Sequence, residues 1–219
     1  MDLDPSIPDF EEVRRWYFRQ ETDAAHDFDH ILRVYHLALR LAEAEGANRR
    51  IVQAAALLHD VKSGLPGSRE RDDHHLLSAE FAGEVLPRWG WCEEDIAQVQ
   101  HCIRAHRFRD ESEQPQTIEA KVIYDADKLD VLGAVGIIRT VAYSVLAGEP
   151  VYAEPSQRFI LSGEKENGEP HSSYHEFLFK LSRVKDRMLT ESGRQLAIDR
   201  HIFMVNFFSR LRQEMEGKD

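Results

Sequence analysis

Apolar positions recur at three- and four-residue steps along almost the whole chain. After Asp29, the residues Ile31, Val34, Leu37, Ala38 and Leu41 fall on one face of a helix, and Gly46 closes it. Asn48 is placed to cap a second helix, "RRIVQAAALLHDV", with Gly64 and Pro66 as its stop. Two more helices are predicted over "LLSAEFAGEVLPRWG" and "EEDIAQVQHCIRAH", with Pro87 and Gly90 between them. Thr117, a weaker cap, precedes "IEAKVIYDADKLDVLGAVGIIRTVAYSVLAG", which is helical in spacing and broken near Gly133. An amphipathic pair, "HEFLFKLSRVKDRML" and "GRQLAIDRHIFMVNFFSRLRQEME", ends the chain. No convincing two-residue alternation lies between turn signals, so the predicted fold is all-α.

The stretch "GEPVYAEPSQRFILSGEKENGEPHSS", from Gly148 to Ser173, is long for a connection inside a compact domain and reads as a surface loop, a lid or a disordered excursion. There is no internal repeat and no clear linker. One domain over 1–219 is the expectation, with a motif core over about 26–146 and C-terminal helices over about 173–217.

Composition narrows the function. A net charge of -11, from 39 acidic and 28 basic residues, argues against a nucleic-acid surface, which would show a basic stripe. An anionic substrate would need a local positive site to overcome that field. The two cysteines, Cys92 and Cys102, make no disulfide framework and fit a reducing cytoplasm. The opening "MDLDPSIPDF" does not read as a signal peptide, and no run is apolar enough for a membrane span.

One stretch resists this plain reading. "AAALLHDVKSG" carries His59 and Asp60 at the end of a very apolar helix, where both are costly to bury without partners. His30 opens the preceding helix, and Asp127 lies in "DADKLD" with Asp125 and Asp130. Two imidazoles and two carboxylates form a donor set suited to divalent Mn, Fe, Co, Ni, Zn or Mg. They fill about four positions of a six-coordinate ion and leave room for water and a substrate oxygen. A cation between the helices would also favour the ionised forms of Asp60 and Asp127.

The ordered motifs "HDFDHILRVYHLALRLAEAEG", "AAALLHDV", "HHLLSAEFA", "QHCIRAHRF" and "DADKLDVLGAVGIIRT" resemble the HD-domain metal-dependent phosphohydrolases. The likeness is greatest to the small single-domain bacterial branch acting on nucleotides, and it runs from about His26 into the 190s. The resemblance implies the metal ligands His30, His59, Asp60 and Asp127, with His26 near the site. It implies hydrolysis of a nucleotide or small phosphorylated metabolite through a metal-activated water, with release of pyrophosphate or phosphate favoured over diester cleavage. One divalent ion per site is favoured over two. His74 and His106 would then be phosphate ligands or proton donors, and Asp60 or Asp127 would orient the water.

His101 and His106 stand about 140° apart round a helix, so His106, at the helix end, is preferred as the site residue. Lys62, Arg104 and Lys128 are candidates to neutralise phosphate oxygens. Lys62-Ser63-Gly64 stands where alarmone hydrolases carry a Glu-Asp pair, and no Gly-Tyr-Pro motif of cyclic-dinucleotide phosphodiesterases is present. His175 and Lys180 are read as packing residues. The expected partner is a small phosphorylated substrate, with no nucleic acid and no membrane, and a homodimer is left open. Two other classes stay open: a di-iron oxygenase on the same helices, which would need six ligands including His74, and an inactive regulatory HD module.

Overall fold

The computed structural model describes residues 6–18, 28–63, 69–108 and 113–218. It is all-α, with no strand among the described residues. Among the described residues ten α-helices follow in order: α1 (Phe10–Phe18), α2 (Phe28–Glu45), α3 (Arg49–Leu58), α4 (Arg69–Val85), α5 (Glu93–Ala105), α6 (Ile118–Leu129), α7 (Gly133–Leu146), α8 (Gln157–Ser162), α9 (Ser173–Phe179) and α10 (Glu191–Met215). Two 3₁₀ turns, Leu86–Trp89 and Leu181–Arg187, follow α4 and α9. No single helix among the described residues is long and apolar enough to cross a membrane. The chain divides into two compact units, Met1–Asp127 with Leu189–Gly193, and Lys128–Met188 with Arg194–Asp219.

In the first unit α3 is the central element. Ile51 through Leu58 are all buried, the pattern of a helix enclosed on every side. Helices α2, α4 and α5 pack around it. Asn48 caps α3 as predicted, its side chain accepting from the Arg50 and Ile51 amides. The helix stops at Leu58, short of the predicted Val61, because its last carbonyls and the following amides find other partners. Tyr17 Oη donates to Leu57 O (3.2 Å), and the Lys62 amide donates to Ser78 Oγ on α4 (3.1 Å). Gly64 and Pro66, the predicted stops, lie outside the described residues. Helix α1 escaped the sequence reading; Asp9 caps it, accepting from the Glu12 amide (2.8 Å).

In the second unit the predicted helix over 175–189 is interrupted after Phe179. Ser182 Oγ donates to Leu178 O (2.8 Å), and the chain tightens into a 3₁₀ turn with Arg183 N bonded to Lys180 O. Phe177 of α9 stacks on Phe208 of α10 with ring centroids 4.6 Å apart. The connection from 148 to 172 is ordered and carries α8. Glu169 ties it, accepting from the Ser156 amide (2.7 Å) and the Glu166 amide (2.6 Å) and meeting His175 Nε2 (3.0 Å). His175 is thus buried in the cap of α9, and Lys180 pairs with Glu176 at 2.7 Å.

Candidate metal centre

Five elements of the first unit bring six donor groups together. His30 stands in the first turn of α2, His59 and Asp60 in the turn that ends α3, His74 on α4, His106 at the end of α5 and Asp127 on α6.

Asp60 is the junction. Its Oδ2 lies 3.9 Å from both His30 Nε2 and His59 Nε2, while its Oδ1 lies 3.2 Å from His74 Nε2 and 3.4 Å from His106 Nε2. Asp127 Oδ1 closes the first side at 3.6 Å from His30 Nε2. Two trios result, His30 with His59 and Asp127, and Asp60 with His74 and His106, each with donor atoms within 4.8 Å of one another. Donors at about 2.1 Å from a common ion sit about 3 Å apart when adjacent and about 4 Å apart when opposite. The distances from Asp60 to the four imidazoles and from Asp127 to His30, 3.2–3.9 Å, fall in that interval.

Protonation suits ligation. His59 Nδ1 donates to Ala56 O (2.8 Å), which fixes the tautomer and leaves Nε2 as a bare lone pair. That Nε2 is buried and has no hydrogen-bond partner among the described residues, an arrangement a cation would satisfy. Burial, with the neighbouring His106 and His30, outweighs the pull of Asp60 and pushes the His59 pKa down to about 4, so the ring is neutral at pH 7. Burial alone would raise the Asp60 carboxyl, but the imidazoles of His59, His106 and His74 hold it well below the usual carboxylate range. The donor set therefore fits a divalent metal: a buried, neutral His59 imidazole beside an ionised Asp60 carboxylate.

The other candidates are placed differently. Lys62 holds its ammonium 4.5 Å from the Phe81 ring centroid. Arg104 is paired with Glu113 at 2.6 Å, and the same carboxylate meets His101 Nδ1 at 2.5 Å, so both are engaged away from the six donors. Lys128 follows Asp127 but belongs to the second unit, and His26 lies outside the described residues.

Three participants were not read from sequence. Arg107 lies against His74, with Nη1 3.3 Å from His74 Nδ1. Tyr17 sits beside Asp60, and burial together with that carboxylate raises its hydroxyl pKa well above the usual value. Asp125 is no ligand; its carboxylate accepts from the Leu189 amide (2.9 Å), the Thr190 amide (2.8 Å) and Thr190 Oγ1 (2.6 Å). In the sequence Asp125 stood out only as a member of "DADKLD", and Arg107 only as the residue after His106 in "IRAHRF".

Residues 27–132 match the HD domain family. The chain is 35% identical to the protein YpgQ of Bacillus subtilis over 215 residues, covering 95% of each. The crystal structure of that protein in complex with ADP aligns at a TM-score of 0.70 and 33% identity, over 96% of this chain and 100% of that one. An HD-superfamily hydrolase from Bacillus thuringiensis aligns at 0.69 and 30% identity, over 94% of each chain. The His and Asp groups converging around Asp60 thus sit in a chain that belongs to the HD-domain family, among the HD-superfamily hydrolases.

Proposed function

We propose that this protein is a metal-dependent phosphohydrolase acting on a nucleoside di- or triphosphate, releasing phosphate or pyrophosphate. The observation that carries the reading is Asp60, whose two oxygens face two imidazoles each inside a buried cluster. The complex of YpgQ with ADP supports a nucleotide as the ligand class.

His30, His59, Asp60 and Asp127 would hold one divalent ion, with manganese the first to test. When bound, the ion supplies Lewis acidity, polarising a phosphoryl oxygen and lowering the pKa of water. The protein's own groups do the rest. Asp60 and Asp127 orient the attacking water through their carboxylates. His74 and His106, on the far side of Asp60, are left to meet the phosphate. Arg107 adds a positive charge at that edge, where the net charge of -11 would otherwise repel an anion.

Protein stripped with chelator and reloaded with single metals is to be offered nucleoside di- and triphosphates, with products read by ³¹P NMR. Metal-dependent release of phosphate or pyrophosphate is expected; no turnover of any nucleotide with any metal would overturn the reading. One observation favours a second reading: the six donors also form two trios joined by Asp60, as a two-ion oxygenase would require. Oxygen uptake by the iron-loaded protein, with two irons per chain, would select it.

A further inference from the structure

Arg107 stands one residue past His106 and turns its guanidinium toward α4. Nη1 donates to the Asp72 carbonyl and lies 3.3 Å from His74 Nδ1, while Nη2 lies 3.4 Å from Asp72 Oδ1. A guanidinium offers only donors and stays charged. His74 Nδ1 must then be the acceptor, so the proton of the neutral ring sits on Nε2. That nitrogen faces Asp60 Oδ1 at 3.2 Å and His106 Nε2 at 3.4 Å.

The neighbouring rings are set the other way. His59 Nδ1 donates to Ala56 O, and His106 Nδ1 donates to Ile103 O (2.5 Å), so both present Nε2 as a lone pair. Of these three rings beside Asp60, therefore, two offer a lone pair and one offers an N–H. A ring that ligates a cation through Nε2 must carry its proton on Nδ1. For His74 that would set an N–H against the guanidinium, donor against donor.

We propose that Arg107 is a positioning residue that locks His74 in its Nε2–H tautomer. His74 thereby becomes a hydrogen-bond donor to a phosphoryl oxygen and is not a metal ligand. The identity of the acceptor rests on the phosphohydrolase reading above; the tautomer does not. The trio of Asp60, His74 and His106 then lacks one of the three lone pairs a second ion would use.

The test is ¹⁵N–¹H correlation of the histidine rings in zinc-loaded, ¹⁵N-histidine-labelled protein, with His74→Gln to assign the signal. His74 is expected as the neutral Nε2–H form, and His59 as an Nδ1–H ring bound through Nε2. In Arg107→Met, His74 is expected to become a mixture of tautomers. Its kcat on nucleoside triphosphate should fall about 10–100-fold, the range that partners of site histidines carry, with zinc affinity within about 2-fold of wild type. An Nδ1–H His74 in the wild-type protein would overturn the proposal, and that readout needs no substrate. A loss of zinc affinity in His74→Gln as large as in Asp127→Ala would do so too, as would full kcat in Arg107→Met. If no nucleotide is turned over by the wild type, the proposed activity fails while the tautomer measurement still decides the role of Arg107.

Discussion

Asp127 and His59 differ in how they stay buried, and the difference is measurable. Asp127 is partly exposed and lies 3.6 Å from His30 Nε2, whereas His59 is sealed in as a neutral ring. Asp127→Ala removes a carboxylate from the proposed ion. Metal content after desalting, measured by plasma mass spectrometry, is expected to fall close to zero, and kcat/KM by more than about 100-fold, beyond the effect of an outer partner. Full turnover by that variant would sink the ligand assignment.

His59 sets an acid limit. An unfolded histidine binds a proton near pH 6.5, and folded His59 resists until about pH 4. Between those values the unfolded chain holds more protons, so the apo protein loses stability as pH falls from about 6.5 to about 4. The loss is on the order of 3 kcal/mol over the full interval. Denaturation in chelator at several pH values should show this slope, and His59→Gln should reduce it, leaving the part that His75, also pushed down to about 4 by burial, contributes.

At the scale of elements, α6 delivers Asp127 because its neighbour Asp125 is fastened. The chain at 189–190 turns two amides and a hydroxyl onto the Asp125 carboxylate, and Gly193 lies so close that a Cβ there would stand 2.3 Å from Asp125 Oδ2. Gly193→Ala is expected to cost about 1–3 kcal/mol by overpacking, read as a lower midpoint at unchanged m-value in urea. Thr190→Val should cost about 1–3 kcal/mol by leaving a buried carboxylate short of a donor. If α6 shifts in either variant, metal affinity falls as well.

Several boundaries of these elements were legible before any coordinates. Asn48 caps α3, Gly46 ends α2 with φ at +69°, and Gly133 opens α7 with φ at +72°, all from residue types with one conformational use. The stop of α3 at Leu58 was not legible. Its causes, Tyr17 on Leu57 O and Ser78 on the Lys62 amide, come from residues distant in sequence. The same holds for Arg104, which looked available beside His106 until Glu113 proved to hold it.

At the scale of the molecule, the proposed ion ties three elements that are distant in sequence, α2, the end of α3 and α6. Binding to the folded state alone stabilises by about 2.7 kcal/mol when free metal is 100 times Kd. For a chain of this length that is a rise of about 5–10 °C in Tm. Calorimetry of the stripped protein, with and without manganese, checks this; an unchanged Tm with metal demonstrably bound would mean the ion sits away from the junction of these helices.

The chain's own order of residues determined that the fold is helical, where its turns fall and which imidazoles and carboxylates are costly to bury. Those properties are local: periodicity, capping and the price of hiding a charge act within a few residues. Tertiary structure alone decided that Asp60 faces four imidazoles, that Arg107 and not Arg104 reaches His74, and that Asp125 braces α6 while Asp127 meets His30. Each of these depends on angstrom-scale distances between helices, which packing sets and no local pattern encodes.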